Sequence, residues 1–242
     1  MSPRFIRCLV GSNILLLGTT AVLLLSGFRT GTHPRFDQLD VERLNVIGKD
    51  GRPVLVLARS GLLPGPRADG KDYDAAIIDG RDLMSGMLFF NDAGDEVGSI
   101  LWAGIDKRPG HSQVVHLSMD QWKQNQTVAL QNVDNGTSRR AGLQINDQPV
   151  DVPIARMLDR LEAMRGASGE RLDSMRAAHM ALMRAGEGGR PRAFLGSRDR
   201  EAIVELRDTG GRVRARLRVG TDDQPRLEFL DAAGKVTAAY PP

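Results

Sequence analysis

Residues 8–28 run for 21 positions without a charged side chain. At about 1.5 Å per residue a helix of that length covers the roughly 30 Å hydrocarbon layer of a bilayer, where every backbone polar group must be satisfied within the segment. The stretch predicts a single transmembrane helix. Arg4 and Arg7 stand before it and Arg29 follows it. A cleaved signal peptide is the competing reading, but its apolar region is usually about 7 to 15 residues, and Leu25-Ser26-Gly27 is a poor small-x-small cleavage site. A short basic tail stays inside, so the bulk of the chain is expected outside the cytoplasm.

Within the span Gly11 and Gly18 are seven apart, as are Ser12, Thr19 and Ser26. These five small or weakly polar residues form one stripe, and such a stripe lets a second helix approach closely. They are the candidate helix-packing residues. The partners they suggest are integral-membrane protein subunits, with membrane lipid around them; ordinary lipid-facing use of Gly, Ser and Thr is the plainer alternative.

The remainder predicts a mainly β protein. Residues 1–7 read as a short basic tail and 29–40 as a linker; 41–152 form a β-rich region, 153–186 a helical hairpin insertion, and 190–242 a C-terminal β-hairpin region. Four turn signals recur at 48–51 (GKDG), 91–94 (NDAG), 208–211 (DTGG) and 231–234 (DAAG), where a Gly can take positive φ and an Asx side chain can bond the local backbone. Apolar runs flank them. Serial hairpins of this kind build an antiparallel meander or sandwich. Runs before residue 105, such as VLVLA (54–58) and MLFF (87–90), are apolar on consecutive positions, which predicts that both faces are covered; the C-terminal runs alternate, which predicts one wet face. After Pro153, the residues Ile154, Met157, Leu158, Leu161 and Met164 fall at helical spacing, and Leu172, Met175, His179, Leu182 and Met183 do so after a Gly-Ala-Ser-Gly break.

Chemistry is sparse. Net charge is +3, from 33 basic and 30 acidic residues, which is no nucleic-acid footprint, and the single Cys8 excludes an internal disulfide or a cysteine-rich metal site. Residues 65–71 match G-x-x-x-x-G-K, but Asp72 replaces the magnesium-binding Ser or Thr and no helix pattern follows. Asp74, Asp79 and Asp82 lack the order of a calcium loop. His111 and His116 are five apart, so on one strand their rings face opposite ways and cannot share a metal. Arg212, Arg214, Arg216 and Arg218 share one strand face, with Glu205 expected opposite Arg214, Glu201 opposite Arg218, and Glu228 beside Arg216. That face should be self-neutralised, each pair contributing roughly 0.2 to 1 kcal/mol. No catalytic residue, metal ligand or cofactor site is assigned.

The segments FDQLDVERLNVIGKDGRPVLVL (36–57), GMLFFNDAGDEVGSI (86–100), LSMDQWKQNQTVAL (117–130) and PRLEFLDAAGKV (225–236) resemble, in order, a bacterial protein family that carries no assigned activity. The resemblance implies bacterial origin and transfers no functional residue. With the anchor, it gives an expected location in the bacterial inner membrane with a periplasmic domain. The expected function is that of a non-catalytic accessory or structural subunit of a larger membrane complex, without nucleic acid. A tethered module for glycan, peptide or lipid is the alternative, for which Trp102 and Trp122 would converge with Phe89 or Phe90. An enzyme would need Asp92, Asp95 and Glu96 to meet His111 or His116, and no such cluster is expected.

Overall fold

The computed structural model describes residues 3, 11, 13–20, 34–107 and 110–241. The chain divides into two compact units, Met1–Asp40 and Val41–Pro242. In the first, residues 13–20 are helical and exposed. Among the described residues nothing lies within 4 Å of a side chain placed at Gly11 or Gly18. The Thr19 hydroxyl donates to the carbonyls of Leu15 and Leu16, so it is satisfied inside its own helix. Among the described residues no helix is long and apolar enough to cross a membrane. Most of the predicted 8–28 span, with Ser12 and Ser26, lies outside the described residues.

The second unit is built from strands β1 (Arg43–Ile47), β2 (Pro53–Ala58), β3 (Arg67–Ala68), β4 (Lys71–Asp72), β5 (Ser85–Phe90), β6 (Glu96–Lys107), β7 (Gly110–Asp120), β8 (Gln126–Asp134) and β9 (Arg139–Asp147). Helices α1 (Ile154–Arg165) and α2 (Gly169–Ala185) follow, then β10 (Arg190–Arg198), β11 (Glu201–Arg207), β12 (Val213–Val219), β13 (Pro225–Leu230) and β14 (Val236–Tyr240). Twelve strands make one sheet in the order β1-β2-β5-β6-β7-β8-β9-β10-β11-β12-β13-β14, each antiparallel to its neighbour. It is a meander, and among the described residues no second large sheet faces it as in a sandwich. Strands β3 and β4 form a separate small ladder.

Local chemistry explains the reversals. At all four predicted turns the closing Gly amide bonds a carbonyl three residues back, and Gly51, Gly94, Gly211 and Gly234 have φ of 80°, 79°, 81° and 83°. A side chain would be strained there. The pairing register shifts next to each turn, at Val46/Ile47, Phe89/Phe90, Leu206/Arg207 and Phe229/Leu230, as a bulge does when it absorbs one extra residue.

One face of the sheet is covered, but only in part. Between β2 and β5 the chain leaves the sheet, and Leu63 returns to pack on Val56, Ala58, Leu88, Phe90 and Leu101. Further along the same excursion Ala68, Tyr73 and Ile77 meet Leu158 of α1. Lys71 binds Asp159 and Glu162 at 2.8 and 2.7 Å, and Asp74 binds Arg165 at 2.7 Å, so ion pairs fasten the excursion to the helix. Helix α2 has no fully buried residue; Leu172, Met175, His179, Leu182 and Met183 form a half-buried stripe.

Beyond this cover, side chains shield the same face themselves. Phe194 is 1% exposed, with the guanidinium groups of Arg140 and Arg198 stacked 4.8 and 5.1 Å from its ring centre. Room for the ring comes from Gly142 and Gly196, where a side-chain carbon would stand 2.7 and 2.9 Å from it. The arginine face on β12 pairs differently from the expected register. Glu205 lies opposite Arg216, two residues from Arg214, because the bulge at Leu206/Arg207 moves the ladder. Arg218 sits opposite Ile203, yet reaches Glu201 diagonally at 2.8 Å, and Glu228 takes Arg216 and Arg218 at 2.6 and 3.1 Å.

Candidate functional site

The uncovered face carries the larger anomaly. One row across the sheet reads Leu44, Leu57, Met87, Ile100, Leu117 and Leu130. It continues through Leu143, Leu195, Val204, Leu217, Leu227 and Tyr240. The adjacent row runs from Val46, Leu55 and Phe89 through Gly98, Met119, Val128 and Ile145 to Ala193, Leu206, Ala215, Phe229 and Ala238 by the same pairings. Two rows of twelve positions therefore contain no charge. Leu130, Leu195, Leu206 and Leu217 are 50–57% exposed.

The consecutive apolar runs before residue 105 are corrected by this arrangement. Strands β2 and β5 bury alternate residues only, and Leu55, Leu57, Met87 and Phe89 stay half-buried. Their second apolar set joins the bare face. With strands about 4.8 Å apart and same-face residues about 6.8 Å apart along each strand, the two rows cover roughly 50 by 14 Å, about 700 Å². A typical monomer's largest apolar patch is about 300–600 Å². A third row, including Trp102 and Val115 opposite each other, widens it, and both are over 40% exposed. Trp122 stands 64% exposed in the 121–124 turn, and Phe89 and Phe90 point to opposite faces, so the aromatic convergence expected of a binding cleft does not form.

Under the cover on the other face lie two adjoining cavities of about 210 and 280 Å³, both lined by Ile78, Arg81, Glu96 and Gln126. Arg81 donates to the Pro64 carbonyl at 2.8 Å and to Glu96 at 2.7 Å. Asp120 lines the first cavity, where burial, reinforced by the Glu96 carboxylate and opposed by Arg81, pushes its carboxyl up to about 7. His116 lines the second; its Nδ1 faces the Gln131 side-chain amide at 2.9 Å, and burial lowers its pKa. Asp120 Oδ1 and His116 Nε2 have no hydrogen-bonding partner among the described residues. Sequence reasoning had not singled out Asp120 or Arg81. The cavity can hold a proton or a small polar molecule, but it does not join a nucleophile to a base.

A carboxyl whose pKa is higher folded than unfolded makes the folded state keep a proton that the unfolded state has released. Stability therefore falls as pH rises from about 4 to about 7. At about 1.4 kcal/mol per unit the loss is at most about 4 kcal/mol. Asp120→Asn should flatten the melting-temperature profile between pH 5 and 8 and melt above the parent at pH 8; an unchanged slope would contradict the assignment.

The other singled-out groups are dispersed. His111 binds Asp134 at 2.9 Å, on the opposite face from His116. Asp95 accepts the Asp69 amide at 2.6 Å, and Glu96 shares a cavity with His116 while its carboxylate is engaged by Arg81. The 65–71 segment is the β3–β4 ladder and opens no helix. Asp74 caps a short helical turn by accepting the Ala76 amide. His179 lies on α2, its Nδ1 buried; His33 lies outside the described residues. The fold and these surfaces define a mainly β protein with one twelve-stranded antiparallel meander, covered on one side. Compared with protein-family profiles, curated proteins and solved structures, the chain matches none.

Proposed function

We propose that the chain is a membrane-anchored, non-catalytic accessory subunit that stabilises a larger assembly of integral-membrane proteins, its sheet unit on the periplasmic side of a bacterial inner membrane. The observation that carries this reading is the bare apolar face. Two uncharged rows twelve strands wide are stable in water only at a large hydrophobic cost, which association removes. The uncharged stretch at 8–28 supports the anchor, and the stripe of Gly11, Ser12, Gly18, Thr19 and Ser26 supports helix packing within the bilayer.

Gentle detergent extraction from native membranes, followed by native electrophoresis and mass spectrometry, tests the reading. The chain is expected to migrate with membrane proteins in fixed stoichiometry. Migration with none ends the proposal. The paired cavities favour a second reading, a tethered module for a small polar ligand. In that case a molecule would co-purify at one per chain and be lost in His116→Ala.

A further inference from the structure

We infer that the bare face is closed by the same face of a second copy of this chain; this rests on the reading of the chain as a subunit. Three observations select that occupant. The first is size: about 700 Å² in two rows, more with the row of Trp102 and Val115, approaches the roughly 800 Å² per partner of a standard stable interface.

The second is charge. A two-fold interface brings a surface against itself, so any charge away from the axis must find its complement within the same patch. The two rows contain no charge to satisfy, so no register of the face against itself is excluded by repulsion within them. Charges border the face, and each is paired within its own copy: Glu42 with Arg59 beside Trp102, Asp147 with Arg192 beyond Ile145, and Asp134 with both His111 and Arg139 near the far end of the long strands.

The third is shape. Neighbouring strands rotate by about 20–25°, so a sheet this wide is twisted, and a flat surface can touch only a few of its strands. A second sheet of the same hand follows that twist, as in aligned sheet packings with strands crossing near 30° and side chains interdigitating. Side chains such as Leu130, Leu195 and Leu217 then become the centre of a buried layer.

The test uses the full-length chain, purified in a non-ionic detergent and, separately, reconstituted into phosphatidylcholine nanodiscs, with copies per particle counted by light scattering and native mass spectrometry. Two copies are expected. Leu130→Glu and Leu195→Glu combined should raise the dimer dissociation constant at least about 100-fold, because a carboxylate at each site would enter the buried layer unpaired. Leu83→Glu, an exposed leucine off this face, should leave the dimer intact. Circular dichroism confirms that each variant keeps its strands, and an unfolded pair is replaced by Leu130→Gln with Leu195→Gln. One copy held through this face to a different membrane protein overturns the second-copy inference and leaves the subunit reading standing. One copy alone, or one copy whose face binds only lipid or detergent, overturns both.

Discussion

Phe194→Ala is expected to lower the unfolding free energy by about 3–5 kcal/mol, the range for deleting a fully buried aromatic side chain. The ring is the largest fully buried side chain among the described residues, and it has no apolar cover above it, only Arg140 and Arg198. Its loss removes the platform on which both guanidinium groups lie. Arg140 already suffers from burial, which lowers its pKa, with the charges of Arg198 and Arg207 adding to the effect. The flanking Gly142 and Gly196 offer no side chain to fill the space. Urea unfolding of the purified variant gives the number. Phe194→Leu should recover part of it, and a loss below about 1 kcal/mol would mean that the arginine pair, not the ring, organises this part of the sheet.

Glu228→Ala is expected to cost about 1.5–3 kcal/mol, the range for losing hydrogen bonds to a charged group, since the two arginines left behind are partly exposed. Glu228 is 5% exposed, and its carboxylate takes bonds from Arg216 at 2.8 and 2.6 Å and from Arg218 at 3.2 and 3.1 Å. Burial pushes its pKa up, but those bonds and charges outweigh burial and hold it below the usual glutamate value. A depressed carboxyl contributes stability above its unfolded pKa, and that contribution is lost as pH falls through the folded value. The difference between parent and variant should therefore be full at pH 7 and shrink below about pH 4. Glu201→Ala, whose carboxylate is more exposed and among the described residues meets only Arg218, should cost much less. Equal losses in the two variants would remove the basis for assigning Glu228 the central place.

Much of the strand and turn pattern was legible in the chain because its causes are local. Gly51, Gly94, Gly211 and Gly234 occupy positions that need positive φ, and an Asx residue begins or lies within each reversal. The turn at 121–124 carried no such signal: Lys123 takes φ of 55° and the Gln124 amide bonds the Gln121 carbonyl, in a segment without glycine. The helical periods at 154–165 and 169–185 were equally readable. The pairing of Glu205 was not, since the bulge at Leu206/Arg207, beside the 208–211 turn, moves the ladder and leaves no mark of its own in the sequence.

The candidate surfaces were hidden for a different reason. Each strand's alternation shows that it has two faces, but Leu57 and Leu88 look alike in a sequence, and only one of them lies under the 59–84 excursion and α1. Arg81, Glu96, His116 and Asp120 come from a loop and two strands, and the two adjoining cavities they line exist only after β6 and β7 pair. The sequence by itself determined where the chain extends, reverses and coils, because backbone conformation answers to neighbouring side chains. Only the tertiary structure decided which apolar row is buried and which is left bare, because burial depends on segments far apart in the chain arriving on the same side of one sheet.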